Sequence, residues 1–124
     1  MSHHDKPLTL LGDLTPADFL ANYWQQKPLL IRGAIPDFVS PIDPDELAGL
    51  ACEPGVEARL VEEKGPDGPW QVSHGPFDDA TFERLPEGHW SLLVQAVDHY
   101  VPSIAALMDE FDFLPRWRLD DIMV

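Results

Sequence analysis

Residues 90–97, Trp-Ser-Leu-Leu-Val-Gln-Ala-Val, are the most apolar run in the chain, and Asp98-His99 closes it. Trp90, Leu92, Val94 and Ala96 share one alternating face. Leu93 and Val97 share the other with Ser91 and Gln95. A strand apolar on both faces is covered on both sides, so this run predicts the central strand.

The preceding chain supplies helices and a hairpin. Thr15 is a capping residue, Pro16 follows at the first helical position and Asp18 stands three residues on, which predicts a helix from Thr15 to about Gln26. Its apolar side carries Phe19, Leu20, Tyr23 and Trp24. Lys27-Pro28 ends it, and Leu29-Leu30-Ile31 reads as a short buried strand. Residues 33–42, with Pro36 and Pro41, read as loop. Asp43, Pro44 and Glu46 repeat the helix-start pattern, Leu47, Leu50 and Ala51 form the apolar stripe, and Pro54-Gly55 stops the helix. Val56 to Val61 alternates with Val56, Ala58 and Leu60 inward. Lys64 to Pro69 is turn chemistry, and Trp70 to His74 alternates again with Trp70 and Val72 inward. Asp78 to Leu85 reads as a short helix. After the central strand, Pro102 opens a helix with Ile104, Leu107, Met108 and Phe111 on one face, broken at Leu114-Pro115. Leu119 to Val124 reads as the start of a further strand. Residues 1–12 read as a flexible end. A chain that stops on the apolar residues of a strand is expected to be the leading part of something longer.

Composition narrows the classes. At 124 residues the chain is one domain long enough for a core of its own. Its longest apolar run is far short of the roughly 18 to 20 residues of a membrane span, and the N-terminus has no apolar signal region. The single cysteine, Cys52, cannot form an internal disulfide, which fits a reducing, cytoplasmic setting, and it reads as a small buried hydrophobe. The net charge of −14, with scattered basic residues, argues against direct nucleic-acid binding and suits a basic protein partner. The simpler account is that the acidity keeps the chain soluble.

Candidate chemistry is sparse. His3-His4-Asp5 is a literal H-x-D, but it sits in the terminal tail, and an iron triad needs ligands on rigid strands. His74 and His89 read as hydrogen-bonded structural histidines, and Asp98-His99 as a cap. The aromatics Trp24, Trp70, Trp90, Trp117 and Phe111 read as core. Arg116 and Arg118 read as partners of surface acids. Asp121 and Met123 alternate onto one strand face. If that face lines a cavity, the pair suits a cationic substrate side chain; Met123 in core and Asp121 in water at a strand end is the simpler reading of the residues alone.

Five stretches occur in an order that resembles one family: Asp45 to Ala51, Glu57 to Val61, Trp70 to Phe77, Trp90 to Val97 and Trp117 to Met123. They are similar to the N-terminal portion of the bacterial cupin-type JmjC ribosomal oxygenases, over roughly residues 8–124. The resemblance implies an α+β chain whose helices and β-hairpin lead into a double-stranded β-helix (jelly roll). It implies Fe(II) and 2-oxoglutarate in the full-length protein, with the iron held by an H-x-D pair and a distant His beyond Val124, so no metal ligand is carried over to this chain. The implied activity is hydroxylation of an arginine in a large-subunit ribosomal protein by a homodimer, and the implied substrate-pocket residues are Asp121 and Met123. Residues 13–124 are then an incomplete oxygenase domain, expected to be inactive and marginally folded alone. The rival is a self-contained acidic module, without catalysis, that binds a basic protein.

Overall fold

Three of the helix starts close as their residue types require. The computed structural model describes residues 5–124; His3 and His4 of the H-x-D match lie outside the described residues. In helix α1 (Pro16–Asn22) the Thr15 side chain accepts a hydrogen bond from the Asp18 amide at 3.1 Å. In α2 (Pro44–Ala51) Asp43 Oδ1 accepts from the Glu46 amide at 2.8 Å. In α3 (Asp79–Glu83) Asp78 Oδ1 accepts from the Thr81 amide at 2.9 Å. These bonds satisfy amides that the first turn leaves without helical partners. Bonds to the charged form also hold both carboxyls below the ordinary aspartate value of 3.8, chiefly the Glu46 amide at Asp43, and at Asp78 the Thr81 hydroxyl, which donates to Oδ1 at 2.8 Å, followed by the Thr81 amide.

A lowered folded-state value means the stabilisation is present above the unfolded value and is lost as pH falls through the folded one. Asparagine caps as well but cannot titrate. The stability difference between the natural protein and Asp43→Asn is therefore expected to change between neutral pH and acid, the natural protein losing ground as pH falls. Denaturant melts at several pH values check this; a difference independent of pH refutes it.

The chain divides into two units. The first comprises the residues up to Ser40 with Asp109–Leu119. Within residues 5–12, read from sequence as a flexible end, Thr9–Leu11 forms a 3-10 turn, Leu8 pairs with Leu14, and Leu11 is buried. Helix α1 is shorter than the pattern predicts. Asn22 is its last residue, and Gln25 takes a left-handed φ of 59°. The Phe19 ring meets Tyr23, Trp24 and Phe113, with Phe113 edge-on at 6.0 Å. The strand predicted at Leu29-Leu30-Ile31 does not form. These residues enter no ladder, and Leu30 is 76% exposed. Apolar content alone does not make a strand without a neighbour to pair with.

The second unit comprises Pro41–Met108 with Asp120–Val124. Its sheet holds β1 (Ala58–Glu63), β2 (Trp70–His74) and β3 (Trp90–Val94) in the order β2-β1-β3, all antiparallel. The central strand is therefore β1, not the apolar run at Trp90. That run ends at Val94, because Ala96 turns left-handed at φ 55° and Val97–His99 coils into a 3-10 turn. Ala58, Val94, Val97, Ala51 and Ile104 are the heart of a buried cluster against which Leu47, Leu50, Leu92 and Leu107 pack.

The inward assignment of Trp70 and Val72 is reversed. Leu60 faces Ser73 directly, and Val61 faces Val72. Directly opposed residues share a face, so Leu60 lies on the core side while Val72 and Trp70 lie on the other. Trp70 is 66% exposed. Helix α4 (Pro102–Asp109) buries Ile104 and Met108 as its periodicity predicts, but ends before Phe111, which is exposed. Among the described residues no helix is long and apolar enough to cross a membrane.

Candidate functional site

The last five residues of the chain are held beside the end of β3 by bonds from backbone and side chains together. Val94 and Val124 exchange both backbone hydrogen bonds, at 2.7 and 3.0 Å. The Val97 amide donates to the Ile122 carbonyl at 2.9 Å, and the Ile122 amide donates to Asp98 Oδ1 at 2.9 Å. Asp121 Oδ2 accepts twice, from Gln95 Nε2 at 2.7 Å and from the Ala96 amide at 2.8 Å. The segment predicted as a strand from Leu119 is thus extended and paired at its end, yet forms no regular strand.

Each local feature has a cause. Ala96 adopts φ 55° and ψ 40°, which costs a residue with a Cβ roughly 1 kcal/mol. The turn sends the chain out of the sheet and leaves the Ala96 amide without a ladder partner. The Asp121 carboxylate supplies that partner. Asp98, read from sequence as a cap, instead takes the Ile122 amide.

A cleft of about 500 Å³ opens beside this arrangement, lined by Glu57, Arg59, Gln95, His99, Asp120 and Asp121. Arg59 reaches from it to Met123, with Nη2 3.7 Å from Sδ. Of the two residues singled out from sequence, Asp121 is half-buried and lines the cleft, while Met123 is exposed and lies outside its lining. Glu57, Asp120 and Asp121 outnumber the one guanidinium, an excess of negative charge that suits a cation. The acidity is also uneven along the chain. The second unit holds most of the 22 Asp and Glu residues, but only Arg59, Lys64 and Arg84 of the eight Lys and Arg. Gln95, Arg59 and the Ala96 amide carry no motif, so sequence reading missed them.

His74 is exposed at the end of β2. His89 Nδ1 lies 3.5 Å from Glu63 Oε2, and His99 Nε2 lies 3.8 Å from Asp98 Oδ2. Burial, then the carboxylates of Asp79, Asp78 and Glu53, push the half-buried Cys52 thiol up, which disfavours the nucleophilic thiolate. Arg116 pairs with Asp109 at 3.4 Å, as the surface reading holds. Arg118 lies over the rings of Trp24 and Trp117 at 5.7 and 5.6 Å. Trp117, read as core, is 80% exposed. Among the described residues no group of three or more His, Cys, Asp and Glu side chains is placed to hold a metal ion. These residues do not fit an iron site.

No protein-family model matches the chain. It is 51% identical over 107 residues to the ribosomal protein uL16 3-hydroxylase of Escherichia coli, covering 86% of this chain and 28% of that protein. The chain is homologous to the ribosomal oxygenases. A second relative, the probable ribosomal oxygenase of Haemophilus influenzae, is 41% identical over 111 residues, covering 90% of this chain and 27% of its own length. Solved structures of the ribosomal oxygenase YcfD from Escherichia coli superpose with a TM-score of 0.81 at 51% identity, over 89% of this chain and 29% of theirs. One of them is a complex with cobalt and 2-oxoglutarate, another with cobalt and succinic acid. The chain therefore spans under a third of the length of the ribosomal oxygenases it matches.

Proposed function

We propose that this chain is part of an Fe(II)- and 2-oxoglutarate-dependent oxygenase of the JmjC (cupin) type, which hydroxylates an arginine of ribosomal protein uL16. The observation that carries the proposal is the 51% identity, over 86% of the chain, to a protein named for uL16 3-hydroxylation. The cobalt and 2-oxoglutarate complex of a relative supports the cofactor class. In this reading the helices and sheet lead into a jelly roll, and the iron ligands lie outside residues 5–124. The whole protein is a cytoplasmic homodimer, and this segment binds a basic protein rather than nucleic acid.

The role of these residues is to receive the substrate. A carboxylate oxygen accepts a charge-assisted hydrogen bond from a guanidinium. Asp121, fixed on one oxygen by Gln95 and the Ala96 amide, is the candidate acceptor. Met123, which Arg59 reaches from the cleft, is the second candidate, a soft apolar side chain. Glu57 and Asp120 add attraction for a basic partner.

The test supplies the full-length gene product with Fe(II), 2-oxoglutarate and a uL16 peptide containing the arginine. The expected result is 2-oxoglutarate consumption with one oxygen atom added to the peptide, and no turnover from residues 1–124 alone. Full-length protein that binds the peptide but adds no oxygen favours the acidic module instead.

A further inference from the structure

We propose that Gln95 is a positioning residue, which orients the Asp121 carboxylate toward a cationic substrate side chain without neutralising it. The inference rests on the reading of Asp121 as the substrate's carboxylate partner. The geometry is specific. Gln95 Nε2 and the Ala96 amide both bond the same oxygen, Oδ2, at 2.7 and 2.8 Å. A carboxylate only accepts, so the amide nitrogen of Gln95 must be the atom that faces it. With Oδ2 pinned from two directions the carboxylate cannot rotate, and Oδ1 is the oxygen that neither donor engages.

The chemical type of the donors matters as much as their placement. Both are neutral. They hold the carboxylate by charge-assisted hydrogen bonds, yet leave its net charge for the ligand. Lysine or arginine at position 95 would form a tighter pair and cancel that charge. The other charged or titratable groups lining the cleft are Glu57, Arg59, His99 and Asp120. Arg59, its one guanidinium, reaches the Met123 sulfur at 3.7 Å. The left-handed turn at Ala96 belongs to the same device, since it aims the second donor at Oδ2.

The test uses the full-length protein and two uL16 peptides, one with the arginine and one with citrulline in its place. Citrulline keeps the shape and loses the charge. Gln95→Ala, with the isosteric Gln95→Met as a second variant that keeps the packing, is compared with Asp121→Asn. The expected result is a KM for the arginine peptide raised about tenfold in both Gln95 variants, with kcat within about twofold. The preference for arginine over citrulline falls by a similar factor, which a merely structural role would not produce. If Asp121→Asn raises KM while both Gln95 variants stay within about twofold of the natural protein, this inference is overturned and the reading of Asp121 stands. If Asp121→Asn leaves KM and the arginine preference unchanged, the reading of Asp121 falls and the inference falls with it.

Discussion

Leu60→Ala is expected to destabilise the protein by about 3 kcal/mol, the largest loss from any single truncation in the sheet. Leu60 sits in the middle of β1, the central strand, with Ser73 opposite on one side and Leu92 on the other. It is 2% exposed. Truncation removes the transfer energy of the lost carbons and leaves a cavity that flanking strands cannot close, because their hydrogen bonds to β1 hold them apart. Val72→Ala, in β2, is the control. Its side chain is 51% exposed on the opposite face, so the change is expected to cost well under about 1 kcal/mol. Urea melts of the two variants decide it; equal losses would mean that the register is wrong.

Asp121→Ala is expected to damage function far more than fold. Removing the carboxylate strips the acceptor from both Gln95 Nε2 and the Ala96 amide. An unsatisfied donor costs about 1–3 kcal/mol when fully buried, and less in this half-buried place, where water replaces part of the loss. The backbone pairing of Val94 with Val124 and the Asp98 bond to Ile122 remain to hold the segment. If the proposed role is right, kcat/KM for the arginine peptide falls by roughly a hundredfold, the cost of removing one partner of a close charge pair. Circular dichroism melts alongside steady-state kinetics separate the two effects. A loss of activity no larger than the stability loss accounts for would remove Asp121 from substrate binding.

Local chemistry was legible where one residue and its near neighbours decide the outcome. Thr15, Asp43 and Asp78 start helices where an oxygen-bearing side chain stands before an uncapped turn, and two of the three are followed by proline. Ile104 and Met108 lie one turn apart and are buried together. The turn from Lys64 to Pro69 and the strands beside it were equally local. Asp121 and Met123 were singled out through their two-residue spacing; the structure puts Asp121 in the lining of the cleft and Met123 beside Arg59.

Errors arose where the outcome depends on distant chain. Trp70 and Val72 alternate as an inward pair would, but β2 pairs with β1 so that Leu60 opposes Ser73. A shift of one residue exchanges the two faces entirely, and nothing within β2 records that choice. Leu29-Leu30-Ile31 has the composition of a strand and no partner. The Trp90 run has the composition of a central strand, yet Ala96 ends it early and β1 takes the middle of the sheet.

The amino-acid sequence by itself determined the helix starts, the hairpin, the acidic balance and the kinship to ribosomal oxygenases, because each follows from neighbouring residues or from their order. Only the tertiary structure decided which strand is central, which sheet face is apolar and exposed, and that Gln95 and the Ala96 amide grip Asp121. Those outcomes join residues about 25 positions apart or pair whole strands, and such contacts depend on chain closure and register, which no local pattern encodes.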